Sequence, residues 1–247
     1  MRANLCKMVI LAIDTSTKVC SAAVIATSGQ TGANTSEVIA SRIDRESGNH
    51  AKLLPVFIDE LLTIIRQKGL KLDAVTLSEG PGSYTGLRIG TSTAKGLCYG
   101  LDVPLIPIPT TEVLCAAVKK SHSSLASNLL PLIDARRMEV YTALYDAQIQ
   151  PLTEIRAVVV ESRDSLTSNS EAVYFFGDGA EKCREILESE TWQFVPDIVP
   201  NAACMGELAE AKWKAEKALK TPNEVAYYEP FYLKEFMAAK SHIKGLE

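Results

Sequence analysis

The chain has 247 residues, 47% of them hydrophobic and 23% charged, enough for one large core or two of about 100 residues each. Its net charge of −4 argues against a protein that grips nucleic acid unaided, because such grip comes from clustered lysine and arginine displacing counterions. Cys6, Cys20, Cys98, Cys115, Cys183 and Cys204 form no C-x-x-C pair and read as reduced structural thiols, and the apolar run MVILAID ends at Asp14 without a cleavage site; the expectation is a cytoplasmic protein with no membrane association.

From Met8 the chain reads as strand MVILAID, strand VCSAAVIAT and, after turn residues around Gly29 to Asn34, strand EVIASRID. Apolar residues at 53, 54, 57, 58, 61, 62 and 65 keep helical spacing, and DAVTLS makes a strand. The stretch EGPGSYTGLRIGTSTAKG runs into a helix to about Tyr99, followed by strand VPLIPIP and helix TTEVLCAAVKK. The order is βββαβαβα. After linker-like SHSSLASN come strands LLPLID, MEVYTALYD and EIRAVVVE, a weak helix over 162–169, strand AVYFFG, helix AEKCREILES, a strand around QFVPDIV and helix NAACMGELAEAKWKAEKA. That is a second βββαβαβα, and Ile13-Asp14 and Ile133-Asp134 end the two first strands at matching places. Two such units, 1–120 and 121–247 with the C-terminal tail packing back on the first, are expected to form a duplicated α/β fold of the RNase H-like, actin-like (ASKHA) type, which implies a fold and not a function.

The glycine stretch fits no phosphate loop. No two of its glycines have the P-loop spacing with a lysine behind them, and Thr85 stands where the dinucleotide fingerprint begun by Gly80 and Gly82 needs its third glycine. The near-match to a nucleophile elbow at residues 90–94 lies inside a helix with no strand leading in. Instead Gly82, Gly86, Gly90 and Ala94 recur every four residues and form a side-chain-poor row that lets another backbone approach, although each interior glycine costs about 1 kcal/mol against alanine. In the preceding helix the polar positions 52, 59, 63 and 66 form a narrow stripe, leaving an apolar face wider than one core readily uses. The expectation is a contact between subunits through Leu54, Ile58, Leu61, Gly82, Gly86, Gly90 and Ala94, the alternative being purely internal packing.

LAIDTSTKVCSAAV, EGPGSYTGLRIGTSTAKGL, PLIDARRMEVYTALY and EPFYLKEF together resemble the TsaB (YeaZ) family over nearly the whole chain. The resemblance implies a non-catalytic subunit of bacterial tRNA threonylcarbamoyladenosine synthesis, working with a TsaD-type catalytic paralogue and a TsaE-type ATPase, touching tRNA only through the complex and forming a homodimer when alone. The paralogue's metal-binding H-x-E-G-H falls on Thr110-Thr111-Glu112-Val113-Leu114, where Thr110 and Leu114 replace both ligands. His50, His122 and His242 have no second histidine within helical reach, so no metal is expected; they read as residues of the first helix's start, the linker and the tail.

Asp14 with Thr15 and Ser16, followed by Thr17, occupies the place of an actin-like phosphate turn, so either a weak ATP or ADP site or a carboxylate that caps backbone amides or pairs with a nearby cation is expected there. The matching turn, Ala135-Arg136-Arg137, lacks small hydroxyl residues; its arginines suit a phosphate, tRNA or a partner carboxylate, or form a solvated turn. Gly177-Asp178-Gly179 reads as an adenosine-contacting loop or as a strand-to-helix turn with Asp178 as N-cap. Glu210 with Lys214 and Glu216 with Lys220 read as i,i+4 pairs on a solvated helix face. The rival functions are an independent actin-like ATPase or small-molecule kinase using Asp14, and a metallopeptidase.

Overall fold

The computed structural model describes residues 8–27, 36–46, 48–167 and 172–234; Cys6, the turn between Gly29 and Asn34, and His242 lie outside the described residues. The first half contains strands β1 (Val9–Asp14), β2 (Cys20–Thr27) and β3 (Ser36–Asp44), helix α1 (His50–Gln67), β4 (Ala74–Gly80), α2 (Tyr84–Leu101), β5 (Leu105–Pro109) and α3 (Thr110–Ser121). Its sheet runs β3-β2-β1-β4-β5, antiparallel through β2 and β3 and parallel from β1 to β5. Every residue of β1 is buried, which is why it reads as a continuous apolar run without alternation. Leu54, Ile58, Leu61 and Ile65 put one stripe of α1 on this sheet, and Ser83 starts α2 by accepting the Gly86 N–H at 3.3 Å.

The second half repeats the topology with β6 (Asn128–Asp134), β7 (Glu139–Thr142), β8 (Arg156–Val159), β9 (Val173–Phe176) and β10 (Trp192–Phe194), ordered β8-β7-β6-β9-β10 with the same antiparallel and parallel pairings. The fold is a duplicated α/β arrangement. Its second copy is cut down: the helix expected over 162–169 is one 3-10 turn at Arg163–Ser165, and the next is a 3-10 turn running into α4 (Arg184–Leu187). Strands of three or four residues offer so short a sheet that a long covering helix would have nothing to bury. Helices α5 (Gly206–Lys214) and α6 (Pro222–Tyr227) follow, α6 opened by a capping box of Thr221 with Glu224.

Packing crosses the expected division at 120/121. Leu114, Cys115 and Val118 of α3 belong to one cluster with Leu129, Ile133, Tyr145 and Phe176 of the second half. In return Ala202, Met205 and Ala209 lie with Ile10, Ala12, Ile25 and Ile106 on the first sheet. Each half thus lends a helix to cover its neighbour. Among the described residues no helix is long and apolar enough to cross a membrane.

Candidate functional site

The two strand-ending aspartates face different situations. Asp14 is fully buried, its carboxylate accepting the Ser16 N–H at 3.2 Å and the Ser16 hydroxyl at 3.1 Å. Burial pushes its pKa up to about 6, against the lowering effect of the hydrogen bonds from Ser78 and Ser16. Thr15 donates through Oγ1 to Gly86 O at 2.7 Å, Thr17 Oγ1 accepts the Val19 N–H at 3.3 Å, and Ser16 O accepts the Ser83 N–H at 2.7 Å. Beyond Ser78, hydroxyls continue the polar seam: Ser78 Oγ lies 2.9 Å from Thr110 Oγ1, and Thr111 Oγ1 2.7 Å from the Tyr145 hydroxyl. The phosphate site expected at Asp14, Thr15 and Ser16 does not fit this geometry, because all three are fully buried and their polar groups already hold one another and α2. Asp14 caps a backbone amide instead.

The glycine row points inward, contrary to its expected place between subunits. A Cβ built on Gly82 would stand 2.1 Å from Ser16 O, one on Gly86 2.0 Å from Thr15 O, and one on Gly90 2.3 Å from Thr15 Oγ1. The backbone approaching this row is the chain's own Thr15-Ser16 turn, with Ala94 buried in the core beyond it. Leu54, Ile58 and Leu61 are likewise buried in the first core. The outer faces carry other residues. On α1 Val56 is 50% exposed and Leu53, Phe57 and Ile64 are half-buried; on α2 Ile89 and Leu97 are half-buried, and Ser92, Gly96 and Gly100 form an exposed second small row with open space where Gly96 and Gly100 would carry a Cβ. That second row repeats every four residues too and was readable from the sequence.

At the second turn Asp134 is exposed. Its carboxylate accepts the Arg136 N–H at 3.1 Å and pairs with Lys182, whose ammonium also donates to Glu139 O at 2.6 Å. Asp178 caps no helix: its Oδ1 accepts the Asp134 N–H at 3.0 Å, and the following 3-10 turn starts from Ala180 without a side-chain cap. Asp178 is exposed, yet loss of solvent on the side that meets the Asp134 strand raises its pKa, and the charge of Lys18, from the first turn, opposes that rise. Arg136 and Arg137 have φ of 74° and 49°, consecutive left-handed residues with exposed side chains. Residues 228–234 run from α2 to this turn. Tyr228 donates to Glu79 Oε2 at 3.1 Å, Phe231 N–H to Glu79 O at 2.8 Å, the Tyr232 ring lies 5.0 Å from Tyr84, Arg88 Nε donates to the Tyr232 hydroxyl at 3.3 Å, and Lys234 pairs with Glu139.

Thr110 and Leu114 are both fully buried, and Glu112 between them meets Lys212 of α5 at 3.3 Å. His50 opens α1, its ring nitrogens 3.1 Å from Gly48 O and 3.2 Å from Val19 O, while His122 follows the end of α3. No group of three or more metal-ligating side chains occurs among the described residues. Glu210 and Lys214 pair at 2.8 Å, but Glu210 is buried and not on a solvated face, and Glu216 lies beyond the end of α5.

The family model described as TsaD, tRNA N6-adenosine threonylcarbamoyltransferase, matches residues 37–241. The chain is 30% identical over 185 residues to the tRNA threonylcarbamoyladenosine biosynthesis protein TsaB of Bacillus subtilis, an alignment covering 73% of this chain and 76% of the relative. It is 38% identical over 137 residues to the TsaB of Haemophilus influenzae, covering 54% of the chain and spanning about half, 52%, of that relative's length. The solved YeaZ from Pseudomonas aeruginosa superimposes with a TM-score of 0.74 over 92% of this chain and 100% of that one at 22% identity, a likeness of fold. On these matches, with the duplicated sheets described above, the chain belongs to the TsaB (YeaZ) family.

Proposed function

We propose that the chain works in the cytoplasm as a non-catalytic subunit of tRNA threonylcarbamoyladenosine synthesis, pairing with a TsaD-type paralogue that carries the chemistry, beside a TsaE-type ATPase. The observation that carries this reading is the closed Asp14 turn: in a member of this family, the position for a phosphate is filled by the chain's own hydrogen bonds. Buried Thr110 and Leu114, where the paralogue aligns two histidines, support the same division of labour. Pairing is assigned to the outer faces of α1 and α2, where Leu53, Val56, Phe57, Ile64 and Ile89 leave apolar surface beside the flat row Ser92, Gly96 and Gly100. Small residues on one helix let a partner helix come close, and the same face would join two copies of this chain when the paralogue is absent.

The test is co-purification and reconstitution with the TsaD-type and TsaE-type proteins of the same cell. Gly96→Leu should leave the fold intact, since its side chain enters open space, and should abolish pairing and tRNA modification together. Pairing that survives both Gly96→Leu and Val56→Glu moves the interface elsewhere. Micromolar ATP binding that disappears in Asp14→Ala would favour the independent ATPase or kinase.

A further inference from the structure

We infer that the Arg136-Arg137 turn, continued by the tail residues 231–234, is a surface on which this chain itself binds the phosphodiester backbone of tRNA. The inference rests on the reading of the chain as part of a tRNA-modifying assembly and adds to it a direct contact with the RNA. In a chain of net charge −4, a nucleic-acid surface requires cations that are locally concentrated and not already paired. Arg136 and Arg137 meet that requirement: both are exposed, and neither guanidinium makes a hydrogen bond or an ion pair with the described residues. The carboxylates around them are engaged elsewhere. Among the described residues Asp134 is held by Lys182 and Glu139 by Lys234, while exposed Asp178 accepts the Asp134 N–H through one oxygen. Among the described residues of this patch, the four cations Arg136, Arg137, Lys182 and Lys234 outnumber the three carboxylates Asp134, Glu139 and Asp178.

Backbone geometry adds a second indication. Two successive non-glycine residues with φ of 74° and 49° occupy a region that glycine enters without steric cost, yet arginine stands at both positions. The tail supplies a third. Lys234 fixes it to Glu139, three residues beyond Arg136, and two residues before Lys234 the Tyr232 ring lies against Tyr84, which Arg88 covers at 4.2 Å. Glu139 donates its N–H to Arg136 O at 3.0 Å and pairs through its carboxylate with Lys234, so turn and tail form one strip that brings cations and aromatic rings together across the two halves. Such a strip suits looped RNA, whose phosphates meet arginines while unstacked bases lie on aromatic rings. A free nucleotide is the poorer fit, because the Asp14 turn of the first half is closed to it.

The experiment follows fluorescence anisotropy of a labelled, unmodified tRNA transcript with adenosine after its anticodon. The full chain is used alone and mixed with its TsaD-type partner, across about 50 to 200 mM salt. Arg136→Gln/Arg137→Gln should weaken binding about tenfold or more and make the slope of log affinity against log salt shallower by about 1.5 to 2, the share of two phosphate contacts. Arg136→Gly/Arg137→Gly, which accepts the left-handed backbone, should do the same with circular dichroism unchanged, and Arg136→Lys/Arg137→Lys should keep most of the slope. Wild-type affinity and slope in the glutamine and glycine variants overturn the inference, as do a wild-type complex that does not bind tRNA, displacement of tRNA by ATP at matched ionic strength, or a glutamine variant that loses only its protein partner. A wild-type chain that fails to pair with the TsaD-type protein refutes the proposed function instead, and the tRNA titration of the chain alone still decides the inference.

Discussion

Gly86→Ala isolates the contact that closes the Asp14 turn. The added methyl would stand 2.0 Å from Thr15 O, where an ordinary carbon-oxygen contact is about 3.3 Å, so α2 and the turn must separate by about an ångström. That separation breaks the hydrogen bonds from Thr15 Oγ1 to Gly86 O and from Ser83 N–H to Ser16 O, each 2.7 Å long. Overpacking costs about 1–3 kcal/mol and each buried polar group left unpaired about 1–3 more, while alanine returns up to about 1 kcal/mol of helix propensity. With at least two groups left unpaired the net loss is about 2–8 kcal/mol, and a mid-range loss of about 5 kcal/mol lowers the melting temperature by about 10–20 °C in a chain of this size. Urea unfolding followed by circular dichroism measures it, with Gly96→Ala as the internal comparison: on the exposed face of the same helix, it should gain up to about 1 kcal/mol. A Gly86→Ala protein as stable as wild type would refute the placement of the row against the chain's own turn.

Gly90→Leu should fail to fold or melt far below wild type, because its side chain enters the space of Thr15 and Leu77; thermal melting of the purified variant checks this. Asp14 releases its proton near pH 6 when folded and near 3.8 when unfolded, so its burial makes the protein less stable as pH rises from about 4 to 6, by about 3 kcal/mol once ionised. Asp14→Asn should therefore exceed wild type in urea midpoint at pH 7.5 and lose that advantage below pH 4; equal midpoints at both ends count against it. Tyr228→Phe removes the hydroxyl that donates to Glu79, costs about 1–3 kcal/mol, and should speed proteolytic cutting near 228–234 before any other site is cut.

The first half was legible because its elements are long and strongly patterned: β1 is apolar throughout, and Leu54, Ile58, Leu61 and Ile65 keep one helical stripe. The glycine row announced a close approach, but spacing says nothing about which backbone arrives, and the answer, Thr15-Ser16, lies about 70 residues away. Two apolar faces on α1 invited the choice of the stronger one as an interface, whereas the stripe with the best periodicity is the one its own sheet buries. In the second half the helical patterns of 162–169 and AEKCREILES were real as periodicities but had too little sheet to cover. The link between Asp134 and Asp178 crosses 44 residues and left no local mark.

The trade of helices between the halves governs the order in which the molecule can be completed during synthesis. The first sheet's five strands have all left the ribosome by Pro109, yet the segment that covers one of its faces, with Ala202, Met205 and Ala209, comes nearly a hundred residues later. At about 5–20 residues per second that interval lasts about 5–20 s, during which Ile10, Ile25 and Ile106 lack their lid. A nascent chain of this fold thus waits, half closed, for its own far end, and a fragment ending near 120 would keep that apolar face open permanently.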